Sequence, residues 1–299
     1  DLLDQRDQLI MDLNKEIKAT TVKQGDGSVN VFIGNGQPLV VGAKTFGLTT
    51  AVLPSDPSRI EVAYQTSSGP VIVGEGSLTG GKLGGLMAFR SQTLEPAQTA
   101  LDTLASGLAS TFNAQHRLGQ DLNGALGGDF FTYSSALGAA GFAVALNDPR
   151  QIAAAAPIRT AAASANTGTG AVSAGTVNAP PPPNANLQQP VTITFTSATT
   201  FDVTGTGTGN PTGVAYTPGA TITYNGWSIA LSGAPAAGDT FTVATNAGGI
   251  GDSRNAQLLA GLQTANTMNG GTASYQGAYS QLVSEIGNKT RELDVTSSA

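Results

Sequence analysis

Cysteine is absent from the chain, and histidine occurs once. Without cysteine there are no disulfides and no thiolate metal sites, and one histidine cannot build a His-rich centre. Any catalytic triad would have to use His116. Only 11% of the 299 residues are charged and 6% are aromatic, and the formal net charge is -6. Such a chain lacks the basic face of a nucleic-acid binder, so no nucleic acid is expected as a partner. No apolar run approaches the roughly 18 residues of a membrane span. Signal-peptide and lipidation motifs are missing as well, and no membrane partner is expected. No residue pattern calls for a cofactor or a metal, and no catalytic residue is assigned.

Charge is scarcest in the middle of the chain. From Thr160 to Gly251 only Asp202 and Asp239 carry it. The flanking segments hold nearly all the Lys, Arg and Glu, so the shift marks a unit inserted into a charged, helical framework. Leu2, Leu9, Leu13 and Ile17 fall at helical spacing from the first residues. Tyr275, Tyr279, Leu282, Ile286 and Leu293 do the same at the other end. Both patterns stop abruptly and no initiator Met is present. The chain therefore reads as an excised piece of a longer protein whose two ends run side by side. Between them, Leu94, Leu101 and Leu108 sit seven apart, with Ala97, Leu104 and Thr111 alternating. That is a long amphipathic helix with a coiled-coil-like seam, running to about Leu118, with a kink or break expected at Pro96. Asp252 or Ser253 caps a further helix carrying Leu258, Leu259, Leu262 and Ala265.

Strand patterns fill the gaps. SVNVFI (28–33) alternates as a half-buried strand, and more strands are expected at 37–41, 46–53, 59–65 and 70–73. VTITF (191–195), FDV (201–203), ATITYNG (220–226), WSIAL (227–231) and TFTV (240–243) alternate with Gly/Pro turns. Residues 157–189 are low-complexity and read as a linker. The expected class is α+β and multidomain. A discontinuous helical bundle (1–18, 83–130 and 250–299) would be built from both chain ends and the central long helix. Two β-rich domains would be inserted, a small one at 19–82 and an outer one at 131–249 holding the β unit 190–245. The expected bundle core is Leu9, Leu13, Ile17, Leu94, Leu101, Leu104, Leu108, Leu258, Leu262, Tyr279, Leu282 and Ile286. Arg6, Arg90, Asp102, His116, Arg117 and Arg254 are candidate exposed positions at a subunit interface.

Three local motifs invite a chemical reading. GSLTGGK (76–82) fits G-x-x-x-x-G-K, but Leu83 stands where a phosphate loop needs Ser or Thr, so a β-to-helix connection is expected. His116 reads as an exposed histidine near a helix end, where the dipole favours it. DLNG (121–124) with Asp129 resembles part of a calcium loop, but Thr132 replaces the bidentate Glu, so a turn is expected.

Five segments carry a resemblance: DLLDQRDQLIMDLNKEI (1–17), VNVFIGNGQPLVVG (29–42), GGKLGGLMAFRSQTLEPAQTALDTLA (80–105), FNAQHRLGQDLNGALGGDFF (112–131) and GDSRNAQLLAGLQ (251–263). Together they cover about a third of the chain and resemble the flagellar hook-associated protein 1 family, the hook–filament junction protein. The region 157–248 does not carry the likeness. The resemblance implies a non-enzymatic, secreted structural subunit of the bacterial flagellum. It would leave through the type III export channel, polymerise into a junction ring or tube, and remain extracellular. Its implied partners are flagellar hook protein, the second hook-associated protein, copies of itself, and an export chaperone bound through a C-terminal segment outside this sequence. Its terminal coiled-coil segments would also lie outside. The alternative reading is a surface adhesin or carbohydrate-binding β module using Tyr216, Tyr224 and Trp227.

Overall fold

The computed structural model describes residues 2–297. Helix and strand are mixed, as the expected class requires. Contacts divide the chain into two compact units, Asp1–Thr99 with Lys289–Ala299 and Ala100–Asn288. Composition had suggested three domains with other boundaries.

In the first unit, α1 (Leu2–Glu16) leads into an antiparallel sheet of β1 (Ala19–Lys23), β2 (Val29–Ile33), β3 (Gln37–Val41) and β4 (Lys44–Thr45) in that order. A second sheet follows, β5 (Leu48–Leu53), β6 (Asp56–Thr66) and β7 (Gly69–Ile72), also in sequence order. Ile17, Ile33, Val73 and Leu78 form the buried core, with Leu13, Leu39, Val62, Tyr64 and Leu83 packed against it. The chain then forms α2 (Gly81–Phe89), a π-helical turn at Arg90–Leu94, and α3 (Glu95–His116), in which the division of units falls. The irregularity expected at Pro96 is the π turn immediately before it. The helix runs unbroken from α2 through Arg90–Leu94 into α3, so the N–H that Pro96 lacks is missing inside a continuous helix, and the chain shifts to π bonding there rather than breaking.

The second unit continues with the hairpin β8 (Phe131–Ser134) and β9 (Gly138–Val144), followed by β10 (Ile158–Ala162), β11 (Ala171–Val172), β12 (Thr176–Val177), β13 (Val191–Phe195), β14 (Thr200–Thr204), β15 (Val214–Ala215), β16 (Thr221–Tyr224), β17 (Trp227–Ser232) and β18 (Thr240–Thr245). One sheet runs β10-β18-β13-β14-β15, and in the other β17 pairs with β11, β12 and β16. Their inner faces share one apolar core that includes Ile193, Phe195, Phe201, Trp227 and Phe241. Alternation explains it: in β13 every second residue is buried. The helices α4 (Arg254–Gly261) and α5 (Tyr275–Ser297) complete the unit, α5 ending in the first.

Residues 157–189 are not a linker. β10 pairs with β18, and β11 and β12 pair with β17. Ile158 and Leu187 are core residues, 0% and 1% exposed. Backbone pairing and two apolar anchors suffice to order a stretch whose composition otherwise lacks burial.

Candidate assembly surface

The apolar stripes of the helices are covered only in part. On α1 the stripe reaches the sheet core at its C-terminal end, where Leu13 is half-buried and Ile17 is buried. Leu9, placed in the bundle core by its spacing, is instead 70% exposed. Leu94 and Leu101 are also exposed, while Leu104 and Leu108 are half-buried. On α5, Leu282 is buried, but Tyr279 and Ile286 are exposed together with Val283 and Leu293. On α4, Leu258 is exposed because the inward face is the i, i+4 pair Asn255 and Leu259, and Leu262 is half-buried. Leu9, Leu94, Leu101, Leu258, Tyr279 and Ile286 are therefore surface positions in this chain, on apolar helix faces that are covered only in part.

Arg90 is not an exposed contact position. Glu61 projects from the inward face of β6 and is 4% exposed. It takes hydrogen bonds from Arg59 and, at 2.7 Å, from Arg90. Arg59 also reaches Glu75 at 3.1 Å and Glu95 at 2.8 Å, and Arg90 pairs with Glu75. Burial alone would raise the Glu61 pKa, but the bonds and charges of Arg90 and Arg59 outweigh it and hold the carboxyl below its ordinary value. The network fastens β6 to the π turn.

His116 is 0% exposed, against the expectation of a surface histidine. Its Nδ1 donates to the Gly128 carbonyl at 2.8 Å and its Nε2 accepts the Ala153 N–H at 2.9 Å, which fixes the tautomer. Phe112 stacks on its ring and Phe130 meets it edge-on. The buried line of α3 is Ala109, Asn113 and His116, rather than the leucine seam. Asn113 accepts the N–H groups of Phe130 and Phe131 and donates to the Phe131 carbonyl. Gln120, Asn246 and Asn255 are buried amides that likewise tie loops together. Hydropathy gave no signal for them, although Phe112 four residues before His116 marks the same helix face.

The other candidate positions divide. Asp102 is half-buried and accepts the Ala139 N–H at 2.6 Å. Arg254 pairs with Asp252 and donates to the Ala174 and Ile158 carbonyls, so its guanidinium is spent on the fold. Arg6, paired with Asp7, and Arg117, paired with Asp129, keep substantial side-chain exposure.

The local motifs are structural. Gly81 opens α2 with φ 62°, and a Cβ there would lie 2.5 Å from the Ile17 nitrogen. The GSLTGGK glycines thus permit close backbone approach, and Lys82 pairs with Glu16 at 2.6 Å. Asp121 caps its own turn by accepting the N–H groups of Asn123 and Ala125. Trp227 is 0% exposed and cannot stack on a ligand. Among the described residues there is no group of three or more His, Cys, Asp and Glu that could hold a metal, and no helix is long and apolar enough to cross a membrane.

Known proteins resemble the chain in both sequence and fold. Residues 1–131 match the model of the flagellar hook-associated protein FlgK helical domain. The fold superposes on the flagellar hook junction protein FlgK from Burkholderia pseudomallei with a TM-score of 0.84 at 30% identity, covering 99% of this chain and 75% of that one. The chain belongs to the flagellar hook-associated protein 1 (FlgK) family. Flagellar hook-associated protein 1 of Escherichia coli K12 is 32% identical over 99% of the chain. The Salmonella typhimurium protein of that name is 42% identical over 45% of the chain and 25% of its own length. The likeness therefore extends through 157–248, where the sequence motifs had stopped. The chain spans about half the length, 54%, of the Escherichia coli relative.

Proposed function

We propose that this chain belongs to a structural subunit that joins the flagellar hook to the filament and polymerises into the junction. The observation that supports it most is the superposition over nearly the full chain on a hook junction protein. The uncovered helix faces are a second support. Leu9, Leu94, Leu101, Tyr279 and Ile286 are exposed at helical spacing, as expected of a subunit whose helices complete their bundle against neighbouring copies. Arg6 and Arg117 are the charged positions available for the same contacts. On this reading the protein is exported and extracellular. Its partners are hook protein, the second hook-associated protein, copies of itself, and an export chaperone. It performs no catalysis.

The test is assembly on isolated hooks, followed by electron microscopy, with the full protein that carries this chain. Caps should form on hooks. Leu101→Glu and Ile286→Glu should abolish them without changing the thermal melt. Bare hooks with the wild-type protein would reject the reading. Normal caps with both charged variants would reject the helix faces as the contact.

A further inference from the structure

We propose that the β sandwich carries a binding groove for a single neutral pyranose sugar. The groove, of about 180 Å3, lies where the chain crosses from β15 to β16, that is, from one sheet to the other. Phe201 and Ile222 give it an apolar floor, and Tyr216 and Tyr224 line it. Both rings are held by edge-on contacts with core aromatics, Tyr216 with Phe195 at 5.1 Å and Tyr224 with Trp227 at 5.9 Å. The platform is preorganised, so binding need not order it.

The polar groups select the ligand. The Tyr216 hydroxyl is engaged, donating to the Gly233 carbonyl at 2.9 Å. The hydroxyls of Tyr224, Thr217 and Thr221 have no hydrogen-bond partner among the described residues, and Thr217 and Thr221 are exposed at the rim. Burial raises both phenol pKa values, so both tyrosines stay neutral. No lining residue is charged. An aromatic wall with free hydroxyls and no charge fits a pyranose, whose C–H face packs on a ring while its hydroxyls exchange hydrogen bonds. It disfavours anions and amines, which would be desolvated without a counter-charge. An extended peptide is a poorer fit, because β15 has two residues and offers too short an edge for strand addition.

The inference is independent of the junction reading, because hook capping does not report sugar binding. Saturation-transfer NMR on the chain would use the methyl glycosides of glucose, galactose, mannose and N-acetylglucosamine one at a time. N-acetylneuraminic acid is the charged probe. At least one neutral glycoside should bind with a Kd on the order of 1 mM, as befits a ligand of this size. Tyr224→Phe and Thr221→Val should each weaken it about two- to tenfold. Trp227 fluorescence should remain unchanged, showing the sandwich intact. No transfer from any neutral glycoside would overturn the proposal. Equal binding of the acidic sugar, or wild-type affinity in both variants, would do the same.

Discussion

Replacing Glu61 by Gln tests whether the ion network holds the first unit together. Glutamine keeps the size of the side chain but presents an NH2 group to guanidinium donors. At least one of the two arginine bonds must break, leaving a buried donor facing a donor. Losing one partner of a buried ion pair costs about 3–5 kcal/mol when the other is left uncompensated. Here Arg59 keeps Glu75 and Glu95, and Arg90 keeps Glu75. The side chains of Arg59 and Arg90 are also 27% and 21% exposed, so water shares in the compensation. The expected loss is therefore smaller, about 2–3 kcal/mol.

For a unit of this size that corresponds to a fall in melting temperature of roughly 10 °C. Far-UV circular dichroism reads it directly. Trp227, the one tryptophan, lies in the core of the other unit, and its fluorescence serves as an internal reference. The dichroism transition should move down while the fluorescence transition moves less. A Glu61→Gln melt within about 1 °C of wild type would refute the reasoning, since the network would then be a solvated cluster of little net value.

Burial and bonding set three further outcomes. Ile193→Ala, in the sandwich core, should lose about 2–5 kcal/mol in urea unfolding, whereas Leu101→Ala, on an exposed face, should lose less than about 1 kcal/mol; the reverse order would contradict the packing. His116→Ala strips partners from the Gly128 carbonyl and the Ala153 N–H and leaves a cavity beside Phe112, so thermal unfolding should show a loss of about 2–5 kcal/mol, and a near-neutral result would place the ring in solvent. Asp239, buried, accepts the N–H groups of Ala236, Thr167 and Gly168, and these bonds hold its pKa below the ordinary carboxylate value. Its stabilisation is thus present above the unfolded-state pKa and lost as pH falls through the depressed folded one. Asp239→Asn should flatten the acid limb of Trp227-monitored unfolding, and an unchanged acid limb would assign the loss to another group.

Much of the sheet structure was legible because alternation is a local signal. VTITF is strand β13 residue for residue, and WSIAL lies within β17. β1, by contrast, is nearly all exposed and has no alternation to read. β10 to β12 were hidden by small and polar residues whose pairing partners lie at β17 and β18, far along the chain. Buried polar ties such as Asn113, Gln120 and Asn255 were illegible for a related reason. An amide is read as surface until the loop carbonyls and N–H groups that satisfy it are known. The β-to-helix connection at GSLTGGK and the turn at DLNG were legible, because glycines and Asp/Asn mark such local geometry in a sequence.

The leucine seams raise a different question, because their periodicity was read correctly and their burial only in part. A period near seven states that one helix face requires an apolar partner. It does not state whether that partner is in the same chain. In α3 the burial goes to Ala109, Asn113 and His116, while Leu94 and Leu101 remain on the surface. In α5, Leu282 is buried and Tyr279 and Ile286 are not. An isolated monomer gains nothing from such faces, and contiguous apolar surface is a solubility liability. A subunit that packs helix against helix with its neighbours turns the same faces into interface core. A correct period with only partial cover is the pattern that the proposed assembly through helix faces would use.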